Sequence, residues 1–302
     1  MSELRTVLVA GGTGFIGSHL CMFLRKHGYG IQIISRMPGP LNISWNDLMS
    51  KGLPEKIDAV VNVSGQNVLD IKQRWSPGFK QNVYNSRINT NKALANAIMD
   101  ARHKPKVFIT ISGVGIYKPD LKKEYNEYSD VEGYDFLSKM CLDWEKAARL
   151  EENACRQVNI RSGVVLERDG GMIQQLYTPF FLGLGGPVMP GSQYLPWIHM
   201  MDLCRMFLFC IENDKVNGTL NGVAPQIISN SDFSEAFAKA MKRPSFFPVP
   251  ELVLNIMLGR DRASMLTKGQ KVFPKRILDM GFSYKFPTIE DACKEIVAKP
   301  IN

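Results

Sequence analysis

Three glycines spaced three residues apart follow an apolar run near the start of the chain, in VLVAGGTGFIGSHL (residues 7–20). In a turn between a buried strand and a helix, Gly11 permits the tight change of direction and Gly14 lets the backbone approach a pyrophosphate. Gly17 lets the helix pack closely, and the positive end of that helix then faces the phosphates. The pattern predicts a dinucleotide-binding turn. Three neighbours in this turn are also predicted to contact the cofactor: Thr13, Phe15 and Ile16.

Apolar, β-branched runs alternate with amphipathic helical stretches over the first two thirds of the chain. Such alternation is typical of parallel sheets covered by helices. We therefore predict an α/β fold, a Rossmann doubly wound parallel sheet with a small C-terminal substrate-side domain. The predicted strands are 6–11, 31–35, 59–65, 106–113 and 156–166. The predicted helices are 16–28, 79–101, 136–154 and 201–213.

The end of the second strand indicates which dinucleotide is bound. Proteins that bind NAD usually place Asp or Glu there to hold the ribose 2′-hydroxyl. This chain has Ser35 and Arg36 in IQIISRMPGP (31–40), with no acidic residue nearby. A hydroxyl and a guanidinium suit a 2′-phosphate, which a carboxylate would repel. We predict NADP(H), the alternative being that Arg36 only faces solvent at the end of a strand.

Beyond residue 166 the sequence becomes rich in Gly, Pro and aromatic residues, above all in 178–199. Such a stretch suits a loop and short strands that fold over the carboxyl ends of the sheet, where ligands of these folds bind. We predict an NADP(H)-binding domain over 1–245, with 167–200 contributing to a substrate cleft. A small C-terminal domain is predicted over 246–302.

The composition, 45% hydrophobic and 22% charged, is ordinary for a globular protein. No apolar run approaches the ~20 residues that span a bilayer, and the N-terminus shows no targeting pattern. We expect a cytoplasmic protein without membrane contact, although the sequence leaves an organelle open. The net charge of +8 is dispersed rather than gathered in a basic stripe. It suits a phosphate-bearing cofactor, and we expect no nucleic-acid partner.

The six cysteines and four histidines are scattered, with no CxxC pair and no ligand-like spacing. Reduced, buried thiols are the expected state. We predict no metal site.

Several motifs together resemble the extended, epimerase-like short-chain dehydrogenases/reductases. The resemblance is strongest to an atypical subgroup of epimerase family proteins with a small C-terminal domain, and it covers nearly the whole chain. In the tail, GQKVFPKRILDMGFSYKFP (269–287) is the most diagnostic stretch. The other motifs are GGTGFIG (11–17), SRMPGP (35–40), VNVSGQN (61–67), RW (74–75), SR (86–87), RSGVVL (161–166), PWIHMMDL (196–203) and NGVAP (221–225).

The resemblance implies further cofactor contacts. Val63, Ser64 and Gly65 are expected beside the adenosine and pyrophosphate, Arg87 at a phosphate, and Val165 near the nicotinamide. The residues alone leave alternatives open: Arg87 as a surface residue of a helix, and the two valines as plain core. The resemblance also implies a homodimer formed through helices 79–101 and 136–150.

The usual catalytic residues of this superfamily are missing. Its members carry a Ser or Thr after the fifth strand and a Tyr-x-x-x-Lys on the next helix, where the lysine lowers the phenol's pKa for proton transfer. None of the nine tyrosines has a lysine four residues later. With Glu145 as the marker, the resemblance places Leu137 and Cys141 at the Tyr and Lys positions, and Gly113 at the Ser position.

Three residues are candidate substitutes. Ser112 could hydrogen-bond the nicotinamide carboxamide or a substrate carbonyl, and Tyr117 could present its phenol to the cleft. His199 titrates near neutrality when unperturbed. The alternatives are an aromatic packed under a loop for Tyr117, and for His199 a helix-start network with Asp202.

Two functions are compatible with these residues. The first is an NADP(H)-dependent oxidoreductase that acts on an unknown small carbonyl or alcohol substrate without the usual Tyr-Lys pair. The second is a catalytically silent NADP(H)-binding sensor that acts through a protein partner. The aromatic-rich stretch 178–199 favours the first, and the lost Tyr and Lys favour the second.

Overall fold

A computed structural model describes residues 5–36, 39, 42–70, 73–152 and 154–299. Met37, Pro38 and Pro40, which belong to one of the quoted motifs, lie outside the described residues. The strands are β1 (Thr6–Ala10), β2 (Gly30–Ile34), β3 (Asn42–Ile43), β4 (Ala59–Asn62), β5 (Val107–Gly113), β6 (Asp120–Tyr125), β7 (Arg156–Ser162), β8 (Val164–Glu167), β9 (Trp197–His199), β10 (Gly218–Gly222) and β11 (Gln270–Val272). The helices are α1 (Phe15–Lys26), α2 (Trp45–Lys51), α3 (Pro77–Asp100), α4 (Phe136–Ala147), α5 (Gly171–Phe181), α6 (Met200–Glu212), α7 (Asn230–Met241), α8 (Glu251–Leu258), α9 (Arg260–Thr267), α10 (Lys275–Asp279) and α11 (Ile289–Ala298).

The central sheet of the described chain has seven parallel strands in the order β10-β7-β5-β4-β1-β2-β3. The chain starts at β1, runs outward through β2 and β3, and then crosses to β4 on the other side. This reversal between β1 and β4 is the place where doubly wound folds bind their ligands. The predicted fold class is therefore confirmed.

Alternate residues of the strands point to opposite faces, and each face is covered by helices. Val9 packs with Leu24 of α1 and Phe207 of α6 in one core cluster. Leu8 packs with Leu48 of α2 and Leu94 of α3 on the other face, in what we call the α2–α3 core. Burial on both faces explains why the strands read as continuous apolar runs.

The predicted strand 156–166 is wrong at Gly163, where the chain leaves the main sheet. A Cβ at Gly163 would lie only 2.8 Å from the backbone carbon of Pro196, so the two backbones meet where glycine alone fits. Beyond this point β8 pairs with β9 in a separate two-stranded sheet. Strands β8 and β9 thereby form a second layer beside the carboxyl ends of the strands of the main sheet.

Two other predicted boundaries change. Helix α4 ends at Ala147, whereas the sequence pattern predicts a helix to residue 154. The stretch 178–199 was expected to be loop and short strands, but its first four residues complete helix α5, with Pro179 inside the helix. The helix therefore continues into the Pro- and aromatic-rich stretch.

A strand pair and a helix pair are two of the contacts that attach the C-terminal residues to the rest of the fold. Strand β11 pairs with β6, and helix α11 packs on α7. We call the second contact the C-terminal core. It buries Trp197, Phe233, Phe237 and Ile296 together.

Candidate functional site

The glycine-rich turn has no room for side chains at its key positions. Gly11 has φ +81°, and a Cβ there would lie 2.8 Å from the backbone nitrogen of Ser64. A Cβ at Gly17 would overlap the carbonyl oxygen of Gly11, so α1 packs directly on the turn. Gly12, which the spacing does not single out, faces Ile33 with a Cβ position 2.9 Å from its Cγ1. The turn therefore presents bare backbone.

The N-terminus of α1 carries no group that would compete with an anion. Its N-cap residue is Gly14, no side chain caps the helix, and its first turn has no acidic residue. The positive end of the helix dipole thus faces the turn without compensation. Such an end suits a phosphate.

The end of β2 is fixed to this turn. The hydroxyls of Ser35 and Thr13 share a hydrogen bond of 2.9 Å, and Ser35 is buried. The next residue, Arg36, is exposed and lines a cavity of about 570 Å³, which we call the Arg36 cleft. No carboxylate lines the cleft within the described ranges. Its lining residues are Arg36, Gln66, Gln73, Phe79, Asn82, Asn85 and Ser86.

The loop after β4 lies against the turn and contains an unused polar atom. The backbone N–H of Val63 donates to the carbonyl of Ala10 at 3.0 Å, and the N–H of Ser64 donates to the side chain of Asn62. The hydroxyl oxygen of Ser64 is buried and has no hydrogen-bond partner among the described residues. A buried hydroxyl without a partner is costly, so this group is available for a ligand.

Arg87 is a buried residue, and the alternative of a surface position on its helix is wrong. Its Nη1 donates to the carbonyls of Gln66 (2.9 Å) and Val83 (3.0 Å), and its guanidinium stacks 4.8 Å from the ring centre of Trp144. Burial lowers its pKa to about 10, and its Nε has no partner in the described structure. A Cβ at Gly65 would lie 3.0 Å from its Cζ. Arg87 therefore supports the loop from below and keeps a donor free.

Val165 lies on β8, where it pairs with Ile198 and is 9% exposed. Phe15, the first residue of α1, reaches the same region: a Cβ at Gly171 would lie 3.2 Å from its ring. Phe15 and Val165, two predicted cofactor residues far apart in the sequence, are thus brought together by the layer that begins at Gly163.

The end of β5 holds a saturated ionic network. The guanidinium of Arg161 binds Glu145 through two hydrogen bonds, 2.8 Å to Oε1 and 2.9 Å to Oε2. Ser112 donates to Oε1 of the same carboxylate at 2.9 Å and accepts from Asn159 at 3.2 Å. Burial opposes the charge of Arg161, but the bonds and charge of Glu145 outweigh it and raise its pKa.

Tyr117 belongs to this network and lies in the core, 1% exposed. Its phenol oxygen accepts from Arg161 at 2.9 Å, and its single O–H has two acceptors within reach, Oδ1 of Asn221 (2.9 Å) and the carbonyl of Asn126 (3.1 Å). Burial raises its pKa against the opposing effect of Arg161. The hydroxyl is therefore engaged on all sides.

Leu137 and Cys141 fill the positions that the resemblance gives to Tyr and Lys. Cys141 is buried, and burial, followed by the charge of Glu145, raises its thiol pKa to about 12. Leu137 packs with an apolar cluster that contains Phe79, Val83 and Met140. Neither residue can exchange protons near neutral pH.

His199 is fully buried, in the layer of β8 and β9. Its Nδ1 accepts the N–H of Met201 at the start of α6, and its Nε2 binds Glu295 of α11 at 2.9 Å. The expectation that His199 pairs with Asp202 is wrong, because the Asp202 carboxylate accepts hydrogen bonds from the backbone N–H groups of Lys285 and Phe286. His199 thus joins a helix start to the C-terminal helix.

The structure gathers most predicted cofactor residues around the ends of β1, β2 and β4, with Val165 and Phe15 at the other side. Ser112 and Tyr117 share the network at β5, and His199 has its partners elsewhere. Sequence reasoning missed Arg161 as a network residue and used Glu145 only as a marker. The signal was present: Arg161 is a charge inside an otherwise buried strand, and such a charge needs a partner.

The described residues contain neither a metal-binding group of side chains nor a helix that could span a membrane. No group of three His, Cys, Asp or Glu side chains there could hold a metal ion. Across the described ranges, every helix is too short or too polar to cross a membrane.

Comparison with known proteins gives two family matches. Residues 7–221 match the NAD dependent epimerase/dehydratase family, and residues 249–296 match a domain of unknown function, DUF1731. The human epimerase family protein SDR39U1 is 45% identical over 292 residues, 97% of this chain and 99% of that protein. Epimerase family protein YfhF of Bacillus subtilis strain 168 is 33% identical over 301 residues, 97% of this chain and 98% of that protein.

Among solved structures, human SDR39U1 (isoform 2) with NADPH superimposes with a TM-score of 0.95. It is 44% identical and covers 97% of this chain and 99% of that one. UDP-N-acetylglucosamine 4-epimerase from Bacillus cereus has a TM-score of 0.73 at 17% identity, covering 97% and 98%. This second likeness concerns the fold alone.

Proposed function

The chain belongs to the NAD dependent epimerase/dehydratase family, and we propose that it binds NADP(H) and acts as an oxidoreductase on a small carbonyl or alcohol. The resemblance to the extended short-chain dehydrogenases/reductases with a small C-terminal domain is thereby confirmed at the level of the family. The substrate and the reaction are part of the proposal, as are a cytoplasmic location and a homodimer.

The observation that carries the proposal is an exposed arginine in a cleft without carboxylates. Arg36 follows Ser35 at the end of β2, and neutral amides and a hydroxyl make up the polar lining of the rest of the cleft. A 2′-phosphate gains charge-assisted hydrogen bonds from Arg36 and meets no repulsion. The NADPH bound in the human relative with 44% identity supports the same choice.

The rest of the site fits a dinucleotide by its empty spaces and unused donors. The bare turn at Gly11 and the uncapped start of α1 would receive the pyrophosphate. The unpartnered hydroxyl of Ser64 and Nε of Arg87 lie on the adjoining loop and beneath it. Val165 and Phe15 would border the nicotinamide end.

When bound, the reduced nicotinamide would supply a hydride to a carbonyl and the oxidised form would accept one from an alcohol, with the accompanying proton exchanged with solvent. The chain would orient the cofactor, with Arg36 and the glycine-rich turn at one end and Val165 and Phe15 at the other. We assign no proton transfer to Ser112, Tyr117 or His199, since the hydrogen-bonding groups of each are engaged by protein partners.

A sensor function is the second candidate, and the saturated network at β5 favours it. A protein that only reads the NADP(H) balance needs the cofactor turn and no general acid. In that case Glu145 and Arg161 serve stability alone, and the signal passes to a protein partner.

Fluorescence titration of the purified protein with NADPH and NADH tests the cofactor. We expect NADPH to bind more tightly, and Arg36→Gln to weaken NADPH binding by about 10- to 100-fold, since a hydrogen bond to a charged group contributes ~1.5–3 kcal/mol. NADH binding should stay unchanged. Arg102→Gln removes another exposed arginine as the control. Equal binding of both cofactors by the wild type would contradict the proposal.

Transfer of deuterium from stereospecifically labelled NADPH to a panel of carbonyl compounds separates the two candidates. Labelled alcohol at catalytic yield supports the oxidoreductase. Tight NADPH binding with no label transferred to any compound supports the sensor instead.

A further inference from the structure

Exposed large apolar side chains are concentrated in one part of the molecule. Thirteen occur in the described chain, and nine of them lie in two short segments, 181–189 and 246–256. In the first segment these are Phe181, Leu182, Leu184 and Met189. In the second they are Phe246, Phe247, Leu252, Val253 and Ile256. A soluble monomer rarely exposes so many together unless the patch binds something.

The two segments lie side by side, because their backbones are hydrogen-bonded. The N–H of Val249 donates to the carbonyl of Pro187 at 2.8 Å, and the N–H of Met189 donates to the carbonyl of Val249 at 3.0 Å. We call the nine side chains together the apolar surface.

Helix α8 is turned with its apolar side outward. Leu252 is 68% and Ile256 78% exposed, one helical turn apart, and Val253 beside them is 41% exposed. Among the side chains described in this helix, Leu254 alone is buried. A surface helix normally directs its apolar stripe to the core. The outward apolar side of α8 therefore indicates a binding partner with an apolar surface.

Cations flank the apolar surface. Lys239, Lys242 and Arg243 precede the second segment, Arg260 follows it, and all four are exposed. Arg243 is held at the edge, since its Nε donates to the carbonyl of Phe181 at 2.8 Å. Against these stand Glu251 and Asp261, and Asp261 is paired with Lys80 at 2.7 Å.

We propose that the apolar surface and its flanking cations bind the protein peripherally to a membrane that contains anionic lipids. Phe, Leu and Ile side chains would enter the region between headgroups and acyl chains, and Lys and Arg would meet the lipid phosphates. The expectation of no membrane contact rested on the lack of a spanning segment. Peripheral binding needs no such segment, and it is independent of the proposed cofactor and reaction.

Two other occupants fit less well. In a symmetric dimer the same patch meets itself, so the flanking cations of both copies would face each other and repel. A partner peptide or helix usually docks in a groove, whereas the most exposed members here, Phe246 (81%) and Ile256 (78%), protrude. Protruding apolar side chains with a positive rim match a bilayer surface.

Co-sedimentation with vesicles tests the proposal on the full-length protein. We expect binding to vesicles of phosphatidylcholine with phosphatidylserine, and at least ~10-fold weaker binding to phosphatidylcholine alone, because each nearby cation adds ~1 kcal/mol on an anionic surface. Leu252→Gln with Ile256→Asn should reduce the partition to anionic vesicles by more than ~10-fold. Met49→Gln with Leu121→Gln, two exposed apolar residues elsewhere, is the matched control.

A second variant changes charge and leaves the apolar residues in place. Lys239→Gln, Lys242→Asn and Arg260→Gln together should remove the preference for anionic vesicles; Asn suits residue 242, whose φ is +55°. Thermal denaturation and NADPH titration check that each variant is folded. Failure of the wild type to bind anionic vesicles would overturn the proposal. A dimer in light scattering that Leu252→Gln with Ile256→Asn dissociates would overturn it in favour of a second copy, and equal vesicle binding by the apolar variant and its control would refute it.

Discussion

The two halves of the central sheet end very differently. At the carboxyl ends of β1, β2 and β4 the structure keeps bare backbone at Gly11, an exposed Arg36 and an unpartnered hydroxyl at Ser64. At the ends of β5 and β7 the hydrogen-bonding groups of Ser112, Glu145 and Arg161 are occupied by one another and their neighbours. The carboxyl ends of β1, β2 and β4 leave groups free to bind a ligand. At the ends of β5 and β7, the polar groups are bound to one another.

The difference shows that polar groups at the carboxyl ends of neighbouring strands can either stay open to a ligand or bind each other. A proton-transfer site must leave groups unsatisfied so that a substrate can complete them. Leu137 and Cys141 stand at the positions that the resemblance gives to Tyr and Lys, and the polar groups beside them satisfy each other. The ion pair of Glu145 with Arg161 is therefore structural. The following predictions test this division.

Glu145→Gln should give the largest effect, and it should act on stability alone. Arg161 would remain buried without its carboxylate, and breaking a buried pair costs about 3–5 kcal/mol of unfolding free energy. We expect urea denaturation to show this loss while the Kd for NADPH changes less than ~3-fold, because neither Glu145 nor Arg161 lines the Arg36 cleft. Lys275→Ala, which breaks an exposed pair with Asp279 at 3.4 Å, should cost less than ~0.5 kcal/mol. A parallel fall in NADPH affinity would mean that the ends of β5 and β7 and the ends of β1, β2 and β4 act as one site.

Gly11→Ala should weaken NADPH binding more than ~100-fold, about 2.7 kcal/mol. The added Cβ would lie 2.8 Å from the backbone of Ser64, so the turn and the loop after β4 must move apart. Gly28→Ala is the matched control, since Gly28 has the same φ of +81° but no atom within 4 Å of the Cβ position. Both variants carry the same backbone strain at positive φ, and Gly11→Ala adds the steric clash with Ser64. If Gly28→Ala also fails to bind NADPH, backbone strain rather than the lost space in the glycine-rich turn explains the result.

Cys141→Ala should change how stability depends on alkaline pH, by about 1.4 kcal/mol per pH unit. Folding raises the pKa of this thiol from 9.0 to about 12, so its stabilisation is complete below pH 9. Between pH 9 and 12 the unfolded chain loses a proton that the folded chain keeps, and the unfolding free energy falls. Removing the thiol should make this fall shallower in urea titrations.

Cys155→Ala provides the comparison for Cys141. Its pKa is raised to about 11, so its effect on the slope should end one pH unit earlier. Identical slopes in wild type and Cys141→Ala would show that the thiol of Cys141 is not held in the core.

The cofactor edge was predictable because its constraints are local. Turn geometry, helix start and strand end all fall within 30 residues, and Gly11, Gly17 and Ser35 are recognisable by residue type alone. The network at β5 joins Ser112, Glu145 and Arg161 from three elements that meet only in the folded sheet. Local patterns do not encode such meetings.

Other differences arose where tertiary contacts overrule local preference. Gly163 sits in an apolar run that favours a continuous strand, yet the crossing of Pro196 ends the strand there. His199 was paired with Asp202 by proximity in sequence, but the nearest carboxylate in space belongs to Glu295 of the last helix. Distance along the chain is a poor guide to partners in a layered fold.

The sequence span of the two cores has a consequence for protein synthesis. Every buried residue of the α2–α3 core lies between residues 8 and 148, whereas the C-terminal core needs residues from 166 to 296. Domains form from the N-terminus onward while a chain leaves the ribosome. The glycine-rich turn is therefore supported by one complete core long before the second can close. A premature stop codon near the end of the gene would release a chain with an intact glycine-rich turn and an incomplete C-terminal core. Chaperones and proteases recognise chains with such exposed apolar residues.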